Sequence, residues 1–507
     1  MNRTLKTLMV LVVFLIAALA QGLDTRPLYK TQEVRVAETA REMLVSGEWI
    51  VPHYNGELRL QKPPLPYWMT ALSFRLGGVS EAMARVPSVL FGSTVALILF
   101  LWLRRSVSLG AATNSLLVLA SSFICMRYFR SGEADALLLM FVTAASVAGY
   151  HLQSGRILSA KVHHAWRLLF FVAIGLGFLT KGPAAIAMPV LTVVAFALLM
   201  RQPASLRQYL YLPGWLLLLL LAAGWYLLLL WQMPDAMQYF VQRQVDETFI
   251  RGNHAQPIWW YLGRIPEFFL PWSLLIVPAA IWLWAVRPIS MPVTYALVWF
   301  AVAFVLLSLT VNKQTQYALL LAPPLAVLLG CYLDQAQGRL ARFNRWFVYG
   351  FFALMVVALA YLLIKRPWLE VWTPAWVLLL LPLLAVRLLK LDSLSVPVLL
   401  VASLFAMSYV YSEDHASGES QKTEARDMAA YTAGLVPLFQ TKPGDGALSY
   451  YAIKVIPPLD ETGIETELQR HDAIWLISEQ PVQSGAYRAE LQYSVGKLQL
   501  WKLRKIP

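Results

Sequence analysis

Residues 209–231 read YLYLPGWLLLLLLAAGWYLLLLW, an unbroken stretch without a charged side chain. As a helix rising ~1.5 Å per residue, it crosses the ~30 Å of hydrocarbon in a bilayer. The tyrosines and tryptophan at its ends suit the headgroup level. Comparable runs recur at 8–23, 86–103, 111–126, 136–150, 168–179, 184–200, 268–286, 293–309, 318–333, 347–364, 372–389 and 396–411. The pattern predicts a polytopic α-helical membrane protein with about thirteen transmembrane helices.

Composition agrees. Of 507 residues, 58% are hydrophobic and 14% charged, with a mean hydropathy of +0.56. Soluble domains carry about 25% charged residues, so a water-soluble globular enzyme is excluded. The formal net charge is +13. Because the excess is spread over short loops beside apolar spans, it reads as a topology signal and an attraction for membrane lipids, with no nucleic acid as partner. Cys125 and Cys331 lie in or beside apolar runs without CxxC spacing, which indicates neither a disulfide scaffold nor a thiolate metal site.

The first apolar run follows Arg3 and Lys6 and is expected to be an uncleaved helix with its N-terminus in the cytoplasm. The loops then expected in the cytoplasm hold Arg104, Arg105, Arg156, Lys161, Arg201, Arg207, Arg287, Arg339, Arg342 and Arg345, with Asp334 and Asp392 as their only acids. That is the asymmetry of a cytoplasmic face. Residues 1–411 are expected to form the membrane domain, with 24–85 as a first extracytoplasmic loop. The stretch 31–46 reads as a helix with one wet face, carrying Glu33, Arg35, Glu38, Arg41 and Glu42, and 65–76 as an aromatic-rich interfacial helix. Residues 412–507 are expected to be a small α/β extracytoplasmic domain, helical near 422–439 and with strands at 447–453, 473–477 and 497–503.

Ionisable groups at a membrane boundary are functional candidates. On the outer side the topology gathers Glu33, Arg35, Lys62, Glu133, Asp135, Lys181, Asp246, Glu247, His254, Arg264, Glu267, Lys313 and Tyr317. Cations beside carboxylates at headgroup level suit a lipid-linked phosphate: the cations hold the phosphate and a carboxylate accepts a proton from an attacking hydroxyl.

Several stretches resemble the ArnT-like membrane glycosyltransferases of the GT-C superfamily, within the protein O-mannosyltransferase clan. They are Thr31-Gln32-Glu33-Val34-Arg35, Gln61-Lys62-Pro63-Pro64-Leu65-Pro66-Tyr67-Trp68, Ala84-Arg85-Val86-Pro87, Asp135, Thr180-Lys181-Gly182, His254-Ala255-Gln256-Pro257, Leu270-Pro271-Trp272 and Lys313-Gln314-Thr315-Gln316-Tyr317. The resemblance covers about residues 1–330. It implies a GT-C fold and transfer of a sugar from a polyprenyl-phosphate donor, such as undecaprenyl phosphate, to a periplasmic acceptor: lipid A, another glycan or a protein. It further implies a multi-pass protein of the bacterial inner membrane. By motif position, Arg35, Lys62 and Tyr317 would hold the donor phosphate, while Gln32, Gln61, His254, Lys181 and Lys313 would line the cavity with Asp135.

Two positions depart from the family pattern. Gln32 stands where the family has its presumed catalytic Asp, and Gln61 where it has Glu. An amide accepts no proton at neutral pH, so the expected catalytic carboxylates are Asp135 first and Glu33 second. Gln61 is also a poor metal ligand beside His254, so no metal or other cofactor is expected. The rival readings are a flippase for lipid-linked sugars and a lipid-linked-sugar-binding protein without transferase activity.

Overall fold

Hydrocarbon offers the backbone no hydrogen-bond partner, so an apolar run must satisfy its own N–H and C=O groups, which a helix does. The computed structural model describes residues 15–16, 19–24, 27–28, 31–155, 159–236, 238, 255–286, 288–365, 421–441, 446–482 and 486–506. Within these, Glu81–Ser106, Asp135–Gln153, Ala160–Lys181, Leu212–Gln232, Met291–Leu309 and Thr315–Gln335 are long and apolar enough to cross a membrane. The pair Trp260–Phe268 and Trp272–Ala285, bent by 108°, makes a seventh span if counted as one. The runs expected at 372–389 and 396–411, and most of 8–23, lie outside the described residues.

One expected span is broken. The run at 111–126 forms Leu109–Ser121, then an extended Ser122, then the short helix Phe123–Tyr128. The hydroxyls of Ser121 and Ser122 donate back to the carbonyls of Leu117 and Val118, the local competition that bends or ends helices.

By their contacts the residues form two compact units: 1–21, 61–65 and 88–411, and separately 22–60, 66–87 and 412–507. In the first, small residues let helices meet backbone to backbone. A Cβ on Gly330 would lie 2.6 Å from the Ser115 nitrogen, which fixes Thr315–Gln335 against Leu109–Ser121. Buried polar atoms are matched across helices, as where the Tyr295 hydroxyl donates to the Ser146 carbonyl at 2.7 Å and Gln153 Nε2 to the Val193 carbonyl at 2.9 Å.

In the second unit the early polar segment and the tail share one core. Val34, Ala37 and Ala40 of the helix Thr31–Ser46 pack with Ala425, Met428, Ala447, Leu448 and Tyr450. From sequence, 24–85 belongs with the membrane region and its helix has a wet face. Glu33, Glu38, Arg41 and Glu42 are instead buried, their charges matched within the unit: Glu38 accepts from Arg41 at 2.7 and 2.8 Å, and Glu42 from the Gly56 amide at 3.1 Å. Glu38 still feels its burial, which pushes its carboxyl up to about 8 although Arg41 pulls the other way.

The tail holds a four-stranded sheet ordered Leu438–Gln440, Ala473–Ser478, Leu498–Lys505, Tyr487–Val495. The first pair is parallel, with Leu438 opposite Trp475, and the other two are antiparallel. The strands expected at 473–477 and 497–503 are present; the helix expected near 422–439 is the shorter Gln421–Tyr431, and Leu438–Gln440 is a strand. The strand expected at 447–453 is a helical turn, Ala447–Tyr451, launched from left-handed Gly446 at φ 78° and buried on its Leu448 and Tyr450 face.

Candidate active site

The helices Asp135–Gln153 and Ala160–Lys181 are consecutive and antiparallel, so the start of one lies beside the end of the other. That puts an acidic residue in a first turn and a basic one in a last turn, each favoured by its helix dipole. Lys181 Nζ donates to Asp135 Oδ1 at 2.6 Å, with side-chain exposures of 12% and 6%. Gly182 at φ 84°, a backbone state that favours glycine, ends the second helix directly after the lysine.

The ammonium of Lys181 also stands 5.0 Å from the centre of the Tyr317 ring, on the 3-10 turn Thr315–Leu321. Glu133 contributes further negative charge to the surroundings of Lys181. It is buried, and accepts from the Ser131 hydroxyl at 3.0 Å. Thus Asp135, Lys181 and Tyr317 converge, and Glu133, a candidate on the same outer side, stands near them.

The other expected residues divide. Lys62 and Gln61 lie half-buried in the same unit, in the bend before the helix Leu65–Gly77. Lys313 is buried and donates to the carbonyls of Gln256 (3.2 Å) and Thr310. Bridging of Ala255 with Asn312 fastens this loop. His254, Asp246 and Glu247 lie outside the described residues.

Arg35, Gln32 and Glu33 belong to the second unit, on the helix Thr31–Ser46. Both oxygens of Glu33 accept from Arg85, at 2.7 and 3.1 Å, and Arg85 donates as well to the carbonyls of Leu23 and Pro27, the latter at 2.9 Å. This pair is fully buried. The role of Arg85 is invisible in the sequence, because its partner lies 52 residues away.

Comparison with known proteins follows from this architecture. The family model described as dolichyl-phosphate-mannose-protein mannosyltransferase matches residues 61–227. An undecaprenyl phosphate-alpha-4-amino-4-deoxy-L-arabinose arabinosyl transferase of Aeromonas hydrophila is 31% identical over 66% of this chain and 62% of its own length. An uncharacterised protein of Aquifex aeolicus is 31% identical over 70% of this chain and 69% of its own. The crystal structure of ArnT from Cupriavidus metallidurans bound to undecaprenyl phosphate superposes with a TM-score of 0.80 at 20% identity, covering 98% of this chain and 97% of that one. The chain is related in sequence to the Aeromonas arabinosyl transferase and to the Aquifex protein, and it has the fold of ArnT. The ArnT-like fold accounts for the helical membrane unit and the small C-terminal sheet together. The matched region spans only about three fifths of the length of the Aeromonas transferase.

Proposed function

We propose that this chain is an integral membrane glycosyltransferase that moves a sugar from a polyprenyl-phosphate donor, of the undecaprenyl-phosphate type, to an acceptor such as lipid A, another glycan or a protein. The observation that carries the reading is the buried Asp135–Lys181 pair beside Tyr317 in a chain with the ArnT-like fold. The name of the Aeromonas relative and the lipid bound to the Cupriavidus structure support the donor class.

In the proposed reaction the acceptor oxygen attacks the anomeric carbon, and the bond from that carbon to the phosphate oxygen breaks with inversion. The electron pair leaves on the lipid phosphate, whose charge Lys62 and Tyr317 stabilise. A hydroxyl acceptor gives its proton to Asp135, which Lys181 orients. A phosphate acceptor, already anionic, needs no base. His254 and Lys313 complete the cavity. With Gln61 in place of a carboxylate, we propose that no metal or other cofactor is needed. About thirteen spans in the bacterial inner membrane, an N-terminus in the cytoplasm and a C-terminal domain in the periplasm complete the proposal.

The test is transfer of labelled sugar from synthetic polyprenyl-phosphate donors to membrane acceptors by the purified full chain, beside Asp135→Asn, Lys62→Ala and Glu33→Gln. Transfer by wild type and its loss in Asp135→Asn are expected. Donor binding that Lys62→Ala abolishes, with no transfer to any acceptor, would replace this reading by lipid-linked-sugar binding or flipping.

A further inference from the structure

The helix Ala160–Lys181 has 22 residues, so its two ends are about 33 Å apart, close to the thickness of a bilayer's hydrocarbon core. Asp135 and Lys181 occupy one end of the antiparallel pair. The other end holds a second cluster of charge, all of it positive among the described residues of this stretch. Between Asp135 and Asp235 the sequence has no carboxylate, yet it places Lys161, Arg167, Arg201 and Arg207 at or beside this remote end, with His163 and His164.

These side chains are organised against the turn Pro203–Tyr209 and the residues after it. His163 Nε2 lies 3.2 Å from Gln208 Oε1, and His164 Nδ1 lies 3.0 Å from the Tyr211 hydroxyl. The Arg167 guanidinium stacks over the Tyr211 ring at 5.5 Å. Its Nε–H is buried and has no hydrogen-bond partner among the described residues, which leaves the guanidinium short of acceptors. Immediately beside the cations, Leu210, Leu212 and Trp215 are exposed. His164 thus meets the hydroxyl of the tyrosine over whose ring Arg167 lies.

We propose that this remote end binds the phosphate headgroup of an anionic glycerophospholipid, with Arg167 as its central ligand, Lys161 and Arg207 as flanking cations, and the exposed leucines and Trp215 against the acyl chains. Charge complementarity selects the occupant: cations without a carboxylate, at the depth of a headgroup, beside lipid-facing apolar surface. The site rests on the membrane character of these helices and not on the transferase reading.

Native mass spectrometry of the purified full chain tests it, with phosphatidylglycerol and phosphatidylcholine titrated in detergent into wild type, Arg167→Gln and the exposed double variant Lys161→Gln/Arg207→Gln. Each lost cation is expected to weaken phosphatidylglycerol binding about fivefold, leaving phosphatidylcholine unchanged. The double variant removes no packing, so it decides the matter even where Arg167→Gln fails to fold. Unchanged phosphatidylglycerol binding in the variants, or an equal loss for phosphatidylcholine, overturns the proposal. Displacement of phosphatidylglycerol by inorganic phosphate overturns the lipid assignment in favour of a soluble phosphate.

Discussion

Lys181 and Asp135 are 46 residues apart in the chain, and their charged ends are 2.6 Å apart. Two buried charges are taken out of water at a cost of several kcal/mol each, which their mutual attraction offsets only while both are present. The pair is thus an obligate unit, and its disruption has separable structural and chemical consequences.

Removing Lys181 alone, as Lys181→Met, leaves a buried carboxylate and should destabilise the protein by ~3–5 kcal/mol. The double variant Asp135→Asn/Lys181→Met should recover much of that stability, while sugar transfer stays at least ~100-fold below wild type. Thermal unfolding in detergent and the transfer assay, run on the same preparations, check both halves. Recovery of transfer together with stability would reduce the pair to a structural role.

Glu33 and Arg85 should behave differently. Their bond lies within the unit that joins 22–60 and 66–87 to the tail, so Glu33→Gln is expected to lower the unfolding temperature and increase proteolysis, with residual transfer per folded molecule near wild type. A Glu33→Gln protein of wild-type stability that transfers nothing would make Glu33 the base after all.

Glu38 supplies a pH dependence. Its folded carboxyl titrates near 8 against an ordinary 4.5, chiefly through burial. The folded state therefore binds the proton more tightly than the unfolded chain, and the resulting stability is complete below about pH 4.5 and lost as pH rises through about 8. Unfolding temperatures measured across this window should fall with pH in wild type, and the slope should be shallower in Glu38→Gln.

Backbone conformation gives a paired prediction in the second unit. Ile453 is β-branched, 62% exposed and held at φ 56°, so Ile453→Gly should stabilise by about 1 kcal/mol. Gly446 sits at φ 78°, and a Cβ there would lie 2.6 Å from the Tyr54 ring, so Gly446→Ala should destabilise by at least about 1 kcal/mol. Thermal unfolding of the two variants should shift in opposite directions.

Much of the candidate site was legible because its charges sit at helix ends, and helix ends can be read from where apolar runs stop. Asp135 begins one run and Lys181 closes the next; a short polar connection makes the two runs antiparallel neighbours. Arg85 was harder. Arg85 looks like any cation before an apolar span, and only the fold places Glu33 opposite it.

The sequence by itself determined the membrane helices, since a stretch such as 209–231 must satisfy its own backbone wherever it sits in hydrocarbon, and that is a local requirement. It also determined which residues were too costly to bury without a purpose. Only the tertiary structure decided that the helix Thr31–Ser46 has no wet face and shares its core with residues beyond 420, because the Leu28 amide meets the Tyr451 hydroxyl across 423 residues. Contacts of that separation leave no period in the chain. Hydrophobic periodicity registers that a face is buried, and for charged residues paired inside a core it registers the opposite.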